Sequence, residues 1–370
     1  MVEGEYPKVD GETLYDLDHN WAGSYPKLLF GDGSDGDVTI SADTDLGATN
    51  EKNYNNLTID VTKTLSGDSP LIIRVAGTLT LNGILSPNKD PSGGSGGANG
   101  GTGTGGDGGD GGGLIFVYAR TLAGSGNISV DGSDGSNGVT SSATGNASGA
   151  DGNDGIDADY LDVTRTNSGG NKGSGGLLAG GGAAGGAAST NYTSKTNRLM
   201  GYLFVEPLDD QPSSGAGGGG AASGGGGGNA PGGGGASGGA GYSAGGAGGA
   251  GGNHAGGGSD NSGGGSGGGG GGPGGFILFY YITNDSFTGT LSADGGSGGT
   301  GGNSVGKAGA GGGGGGASAG FINIIGPSQP ATSIVAGALG AKGTASGTGV
   351  DGVDGTAGGV GLVNYIDGGT

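Results

Sequence analysis

The sequence predicts an all-β protein of short, repeated, solenoid-like strand units packed with layers of polyglycine II helix, with essentially no α-helix. Three observations predict it. Glycine supplies 110 of 370 residues and gathers in tracts at 92–113, 168–188, 215–275 and 295–320. Inside the tracts a side chain recurs at every third position. Short apolar runs of strand character follow the tracts and close on a shared ending, and no stretch shows the helical period.

In chain order, residues 1–30 are the least repetitive and hold the only tryptophan, Trp21. Asp32-Gly-Ser-Asp35-Gly-Asp37 is a tight polar turn opening a strand at Val38-Thr-Ile40. Alternation at Leu57, Ile59 and Val61, and again over 78–81, reads as half-buried strand, with the short apolar run 71–75 between them. Residues 1–90 are therefore expected to form a β-rich attachment domain, and residues 91–370 a glycine-rich body.

The body contains an internal repeat. Leu71 to Asn88, Leu114 to Asp131 and Phe276 to Asp294 each begin with an apolar strand. Each ends in Gly-x-(Ile/Leu)-Ser-x-(Asp/Asn), starting at Gly83, Gly126 and Gly289. A looser copy runs from Phe321 to Val335, and 362–366 looks like a closing strand. The runs at 114–118 and 276–281 are apolar at both parities and should be buried on both faces.

The tracts carry a triplet beat: Thr104, Asp107, Asp110; Ala247, Ala250, Asn253; Ser297, Thr300, Asn303. A polyproline II-type helix has three residues per turn, so Gly-Gly-X leaves two bare edges that another backbone can approach closely. Gly/Ser composition by itself reads as flexible linker. Packing is the other reading. Such helices have no internal hydrogen bonds and buried backbone must be paired, so ordered tracts would bond sideways to one another. Two inserts, 139–167 and 189–213, lack the beat.

Net charge is −20, with 13 Lys and Arg in all. Nucleic acid is an unlikely partner, because phosphate neutralisation needs clustered cations. Cysteine is absent and there are two histidines, His19 and His254, which disfavours thiol and zinc chemistry. No apolar run approaches a transmembrane length, and the first residues lack the apolar core of a secretory signal. Asp-rich character is expected mainly from turns.

Glycine tracts threaded between short strands, with variable segments between the tracts, resemble the receptor-binding tail-fibre adhesins of T-even-like phages. The turn at 30–36 and the Gly-x-Ile-Ser-x-Asp ending look like glycine-rich structural proteins of tailed viruses more broadly. The resemblance implies a virion-surface protein, extracellular after release, with packed polyglycine II helices and recognition loops at 139–167 and 189–213. It implies a host surface receptor, protein or glycan, as partner, and other virion proteins bound through the N-terminal region. Membrane insertion is not expected, and a homo-oligomer is compatible with it.

Candidate recognition residues are Tyr160 and Leu161 in the first insert and Tyr192, Arg198, Tyr202 and Phe204 in the second. These aromatic and Arg side chains suit binding hot spots, although 202–205 also reads as a buried strand. Tyr242 and His254 are candidates at turns between glycine helices. Calcium is the one cofactor the residues could bind, through Asp151, Asp154, Asp157 and Asp159, or Asp32, Asp35 and Asp37. Asp at Gly-rich turns explains the same residues without a metal. The Gly-x-Gly-x-x-Gly strings open no helix after a strand, and nothing places two carboxylates across a cleft, so no catalytic residue is assigned. The alternatives to an adhesin are a capsid-decorating or cell-surface structural protein, and a polysaccharide depolymerase.

Overall fold

The computed structural model describes residues 8–9, 12–13, 29–49, 51–89, 92–96, 105–140, 234–237, 245–251 and 264–368. Among these the protein is essentially all-β, with helical backbone only at Leu29 and Phe30. A small antiparallel pair, β1 (Lys8–Val9) and β2 (Glu12–Thr13), stands apart from two parallel sheets.

The seven-stranded sheet holds β3 (Gly36–Ile40), β5 (Glu51–Ile59), β7 (Leu71–Leu81), β9 (Leu114–Gly124), β11 (Phe276–Asn284), β13 (Phe321–Gly326) and β15 (Leu362–Asp367), in that spatial order. The six-stranded sheet holds β4 (Thr44–Asp45), β6 (Thr64–Gly67), β8 (Ile84–Pro87), β10 (Asn127–Ser129), β12 (Thr290–Ser292) and β14 (Ala331–Ser333), also in order. From β3 onward the chain therefore alternates between the two parallel sheets, and each strand up to β13 pairs with the one two places on.

The sequence repeats are these neighbours. Leu71 pairs with Ile115, Phe276 with both Leu114 and Phe321, and Phe321 with Leu362. At the second strand, Ile128 lies between Leu85 and Leu291. The glycine that opens the shared ending marks a corner where backbones meet. A Cβ on Gly126 would collide with the Gly83 carbonyl, and one on Gly289 with the Gly126 carbonyl.

Alternation sets two apolar layers. Ile73, Val117, Phe279 and Ile324 point towards Leu65, Leu85, Ile128 and Leu291 of the other sheet and form the main core. On the opposite face of the long strands, Leu114, Phe116, Phe276, Leu278 and Phe321 pack with Phe30 as a second cluster. Both parities of β9 and β11 are thus buried, as their unbroken apolar runs require. Arg74 lies over the Tyr118 ring at 5.0 Å and binds Glu51 and the Leu29 carbonyl. Burial pushes the Tyr118 and Tyr54 hydroxyls up to about 12.

Each layer continues into glycine-rich backbone. Segments 105–113, 264–275, 308–320 and 349–361 lead directly into β9, β11, β13 and β15. Segments 130–139, 293–304 and 335–344 follow directly from β10, β12 and β14. Where side chains hold two sheets roughly 10 Å apart, these segments touch backbone to backbone. The amides of 265, 268, 271 and 274 donate to the carbonyls of 309, 312, 315 and 318 at 3.0–3.1 Å, so those two segments run parallel. The amides of 311, 314, 317 and 320 donate to 302, 299, 296 and 293 at 2.8–2.9 Å, so those two run antiparallel. Every contact of this kind recurs at three-residue intervals.

Segment 308–320 is buried throughout. It bonds to six others: 234–237, 245–251, 264–275, 293–304, 335–344 and 349–361. Those six are bonded to one another in a closed ring, through Ala236 to Gly268, Gly296 to Gly272, Gly295 to Val335, Gly352 to Gly343, Val353 to Ala250 and Gly235 to Gly249. The packing about 308–320 is hexagonal. Pro273, which has no amide to donate, falls on the row of 267, 270 and 273, which serves through its carbonyls to the amides of 106, 109 and 112.

Candidate functional site

The eight candidate recognition residues, Tyr160, Leu161, Tyr192, Arg198, Tyr202, Phe204, Tyr242 and His254, lie outside the described residues, as do Asp151, Asp154, Asp157 and Asp159. What the structure describes is the root from which this stretch departs. All twelve fall between Thr140 and Gly265, which form an antiparallel bridge with each other.

The root is built from 130–139 and 264–275. The amides of Gly275, Gly272, Gly269 and Ser266 donate to the carbonyls of Val130, Ser133, Ser136 and Val139 at 2.8–3.0 Å. The ladder ends in a clasp: Val139 N–H donates to Ser266 Oγ, and the hydroxyl lies 2.8 Å from the Val139 carbonyl. Ser266 is fully buried. The stretch thus departs at Thr140 and rejoins at Gly265 side by side, although β9 and β11 on either side of it are direct neighbours, and in between it returns to the body at 234–237 and 245–251. Sequence reasoning missed this root; the one available signal was Ser266 interrupting an otherwise unbroken glycine run.

The carboxylates in the triplet positions do work that sequence reasoning did not foresee. Asp131 Oδ1 accepts the Asp294 amide at 2.7 Å and the Ser292 hydroxyl at 2.5 Å. Asp294 in turn accepts the Ser333 hydroxyl and the Val335 amide. Asp134 accepts Ser297 N–H, Asn137 accepts Thr300 N–H, and Asn303 accepts Thr344 N–H. The column ends at Val335, Ala338 and Ala341, whose side chains carry no acceptor. Asp107 and Asp110 cap the amides of Gly96 and Gly93 across an antiparallel contact. The expectation that Asp residues mark turns holds at Asp32 and Asp45, which accept Ser34 N–H and Gly47 N–H. In the triplet positions it is corrected, because there their oxygens accept amides of the next segment. The Ser-x-Asp of the repeat is the hydroxyl and carboxylate of this column.

The N-terminal carboxylates are similarly engaged. Asp32 accepts Ser34 N–H, and Asp35 accepts Asn53 N–H and pairs with Lys52 at 3.6 Å. Asp37 is held below the usual carboxylate range, first by the side chain of Asn55 and then by that of Asn56. Among the described residues no three His, Asp or Glu side chains are grouped to hold a metal ion. Three asparagines that stand in Asn-x-Ser/Thr sequences are also engaged: Asn56 accepts Thr78 N–H, Asn127 accepts Thr290 N–H, and Asn284 binds Ser328.

Chemically, the arrangement is a hydrogen-bonded backbone array, and the carboxylates of its triplet positions accept from backbone amides and hydroxyls. Comparison with protein families, with curated proteins and with solved structures found no match.

Proposed function

We propose that the chain is a non-enzymatic virion protein, a tail-fibre or spike adhesin, which binds a host-cell surface receptor through side chains on the excursion between Thr140 and Gly265. In this reading the glycine segments are polyglycine II helices. A helix of three residues per turn without internal hydrogen bonds accounts for lateral bonds at every third residue. The strand units are turns of a solenoid, which accounts for each strand pairing two places along the chain. The N-terminal region joins the fibre to other virion proteins.

The observation that carries the reading is the root. Every candidate recognition residue lies between Thr140 and Gly265, which are bonded together, and the stretch is tied to the lattice again at 234–237 and 245–251. A rigid base lowers the ordering cost of presenting a binding surface, and the aromatic and Arg content of 189–213 supplies hot-spot chemistry. The described carboxylates at 107, 110, 131, 134 and 294 are occupied by backbone amides, which favours an adhesin over a depolymerase.

The test uses the labelled full chain on a glycan array and on bacterial and archaeal envelope preparations. A triple variant, Arg198→Ala, Tyr202→Ala and Phe204→Ala, is compared with it. Saturable binding, weakened at least about tenfold in the variant with unchanged circular dichroism, is the expected result. Equal binding by the variant, or no saturable binding to any surface, would contradict the proposal. Release of reducing ends would point to the depolymerase instead.

A further inference from the structure

We propose that the C-terminal end of the stack is a self-association surface, where two copies of the chain pair about a two-fold axis through antiparallel contact of their β15 edges. The two edges of the seven-stranded sheet differ in chemistry. At β3 the register breaks between Gly36 and Asp37, and a charged residue, Asp37, stands within the strand. Charges and irregularities of this kind protect an edge from pairing. At β15 the register with β13 is regular over six pairs, with no proline or bulge and a single charge, Asp367, at the strand's end.

The amides of Leu362 and Gly368 donate towards β13. Alternation along a parallel ladder therefore turns the amides of Val363 and Tyr365 outward. Exposed apolar side chains gather at the same end: Val335, Leu339, Val353, Val360, Leu362 and Ile366. At the opposite end Val61 stands exposed.

Charge selects the occupant. A molecule of net charge −20 repels its own copies in general. On this end, however, the outward rows carry both signs, with Lys342 3.2 Å from Asp351 and its backbone amide bonded to Asp354. A two-fold contact is isologous, so the half-exposed Lys342–Asp351 pair of one copy meets that of the other, beside a strand whose one charge is Asp367 at its end. The surface is complementary to itself.

Sedimentation velocity of the full chain over a concentration series tests this. The wild type is expected to sediment as a dimer that dissociates on dilution. A Leu362→Lys, Ile366→Lys variant should be monomeric, and Val61→Lys should remain dimeric. A wild type that is monomeric throughout, or a double-lysine variant that still dimerises, would overturn the proposal. Open-ended assemblies would overturn the two-fold arrangement in favour of β15 pairing with β3. Should the double variant misfold, hydrogen exchange of the wild type decides. Amides of 362–366 should be better protected in concentrated than in dilute solution, and equal protection would refute the pairing.

Discussion

Replacing Gly314 with valine is expected to destroy the packed body, at a cost of about 5 kcal/mol or more, in the range reserved for severe core overpacking. Gly314 donates to Gly299 and accepts from Gly340, both at 2.8 Å. A Cβ there would overlap the Gly269 carbonyl and lie 3.1 Å from the Gly299 nitrogen. These are backbone atoms of different segments, so no side chain can rotate away, and relief requires separating bonded neighbours. The contrast is Ala250→Ser on an outer segment, where the side chain is half-exposed and the expected change is within about 0.5 kcal/mol. Equilibrium urea unfolding of the two variants measures the difference. Glycine loses more freedom on ordering than any other residue, so a body this rich in it has a reason only if close approach is what it supplies.

The second large effect is expected at the carboxylate column. Asp131→Ala removes the acceptor for the Asp294 amide and the Ser292 hydroxyl at once. Leaving such partly buried donors unpaired should cost about 2–3 kcal/mol. Asp131→Asn keeps one acceptor oxygen, as Asn137 already does for Thr300, and should cost under about 1 kcal/mol. The urea midpoints of the two variants distinguish acceptor geometry from charge. If alanine and asparagine behave alike, the column is not holding the segments together.

The repeats were legible because register preserves them: Phe276, Phe321 and Leu362 open successive strands and pair directly. Burial of β9 and β11 on both faces was legible from their unbroken apolar runs. The layered sheets confirm the β-rich class at that level. The identity of the central segment was not legible. Among the described residues the segment bonded to six others is 308–320, in the shorter tract 295–320, because position in the packing follows the order of strands and not tract length.

Glycine density does encode position once the ring is known. Segments 264–275 and 308–320 are almost entirely glycine, alanine and serine. Segment 293–304, with neighbours on four sides among the described residues, keeps six glycines in twelve residues. Segment 335–344, with neighbours on three, keeps glycine at 337, 340 and 343. The carboxylate column was hidden for a different reason: donor and acceptor stand 163 residues apart at Asp131 and Asp294, and 41 apart at Asp294 and Val335. No local spacing rule connects them. The recognition residues proposed from 139–167, 189–213 and 242–254 rest on side-chain chemistry and on the root at Thr140 and Gly265.

The central claim is that the glycine segments are a hydrogen-bonded lattice that holds the molecule together. Native-state hydrogen exchange over 308–320 tests it most directly. The amides of Gly311, Gly314, Ala317 and Gly320 should exchange only with global unfolding, as slowly as those of β9 and β11. Exchange of these amides at the rate of an unstructured glycine peptide, while the strands stay protected, would contradict the account and return the segments to the role of linkers.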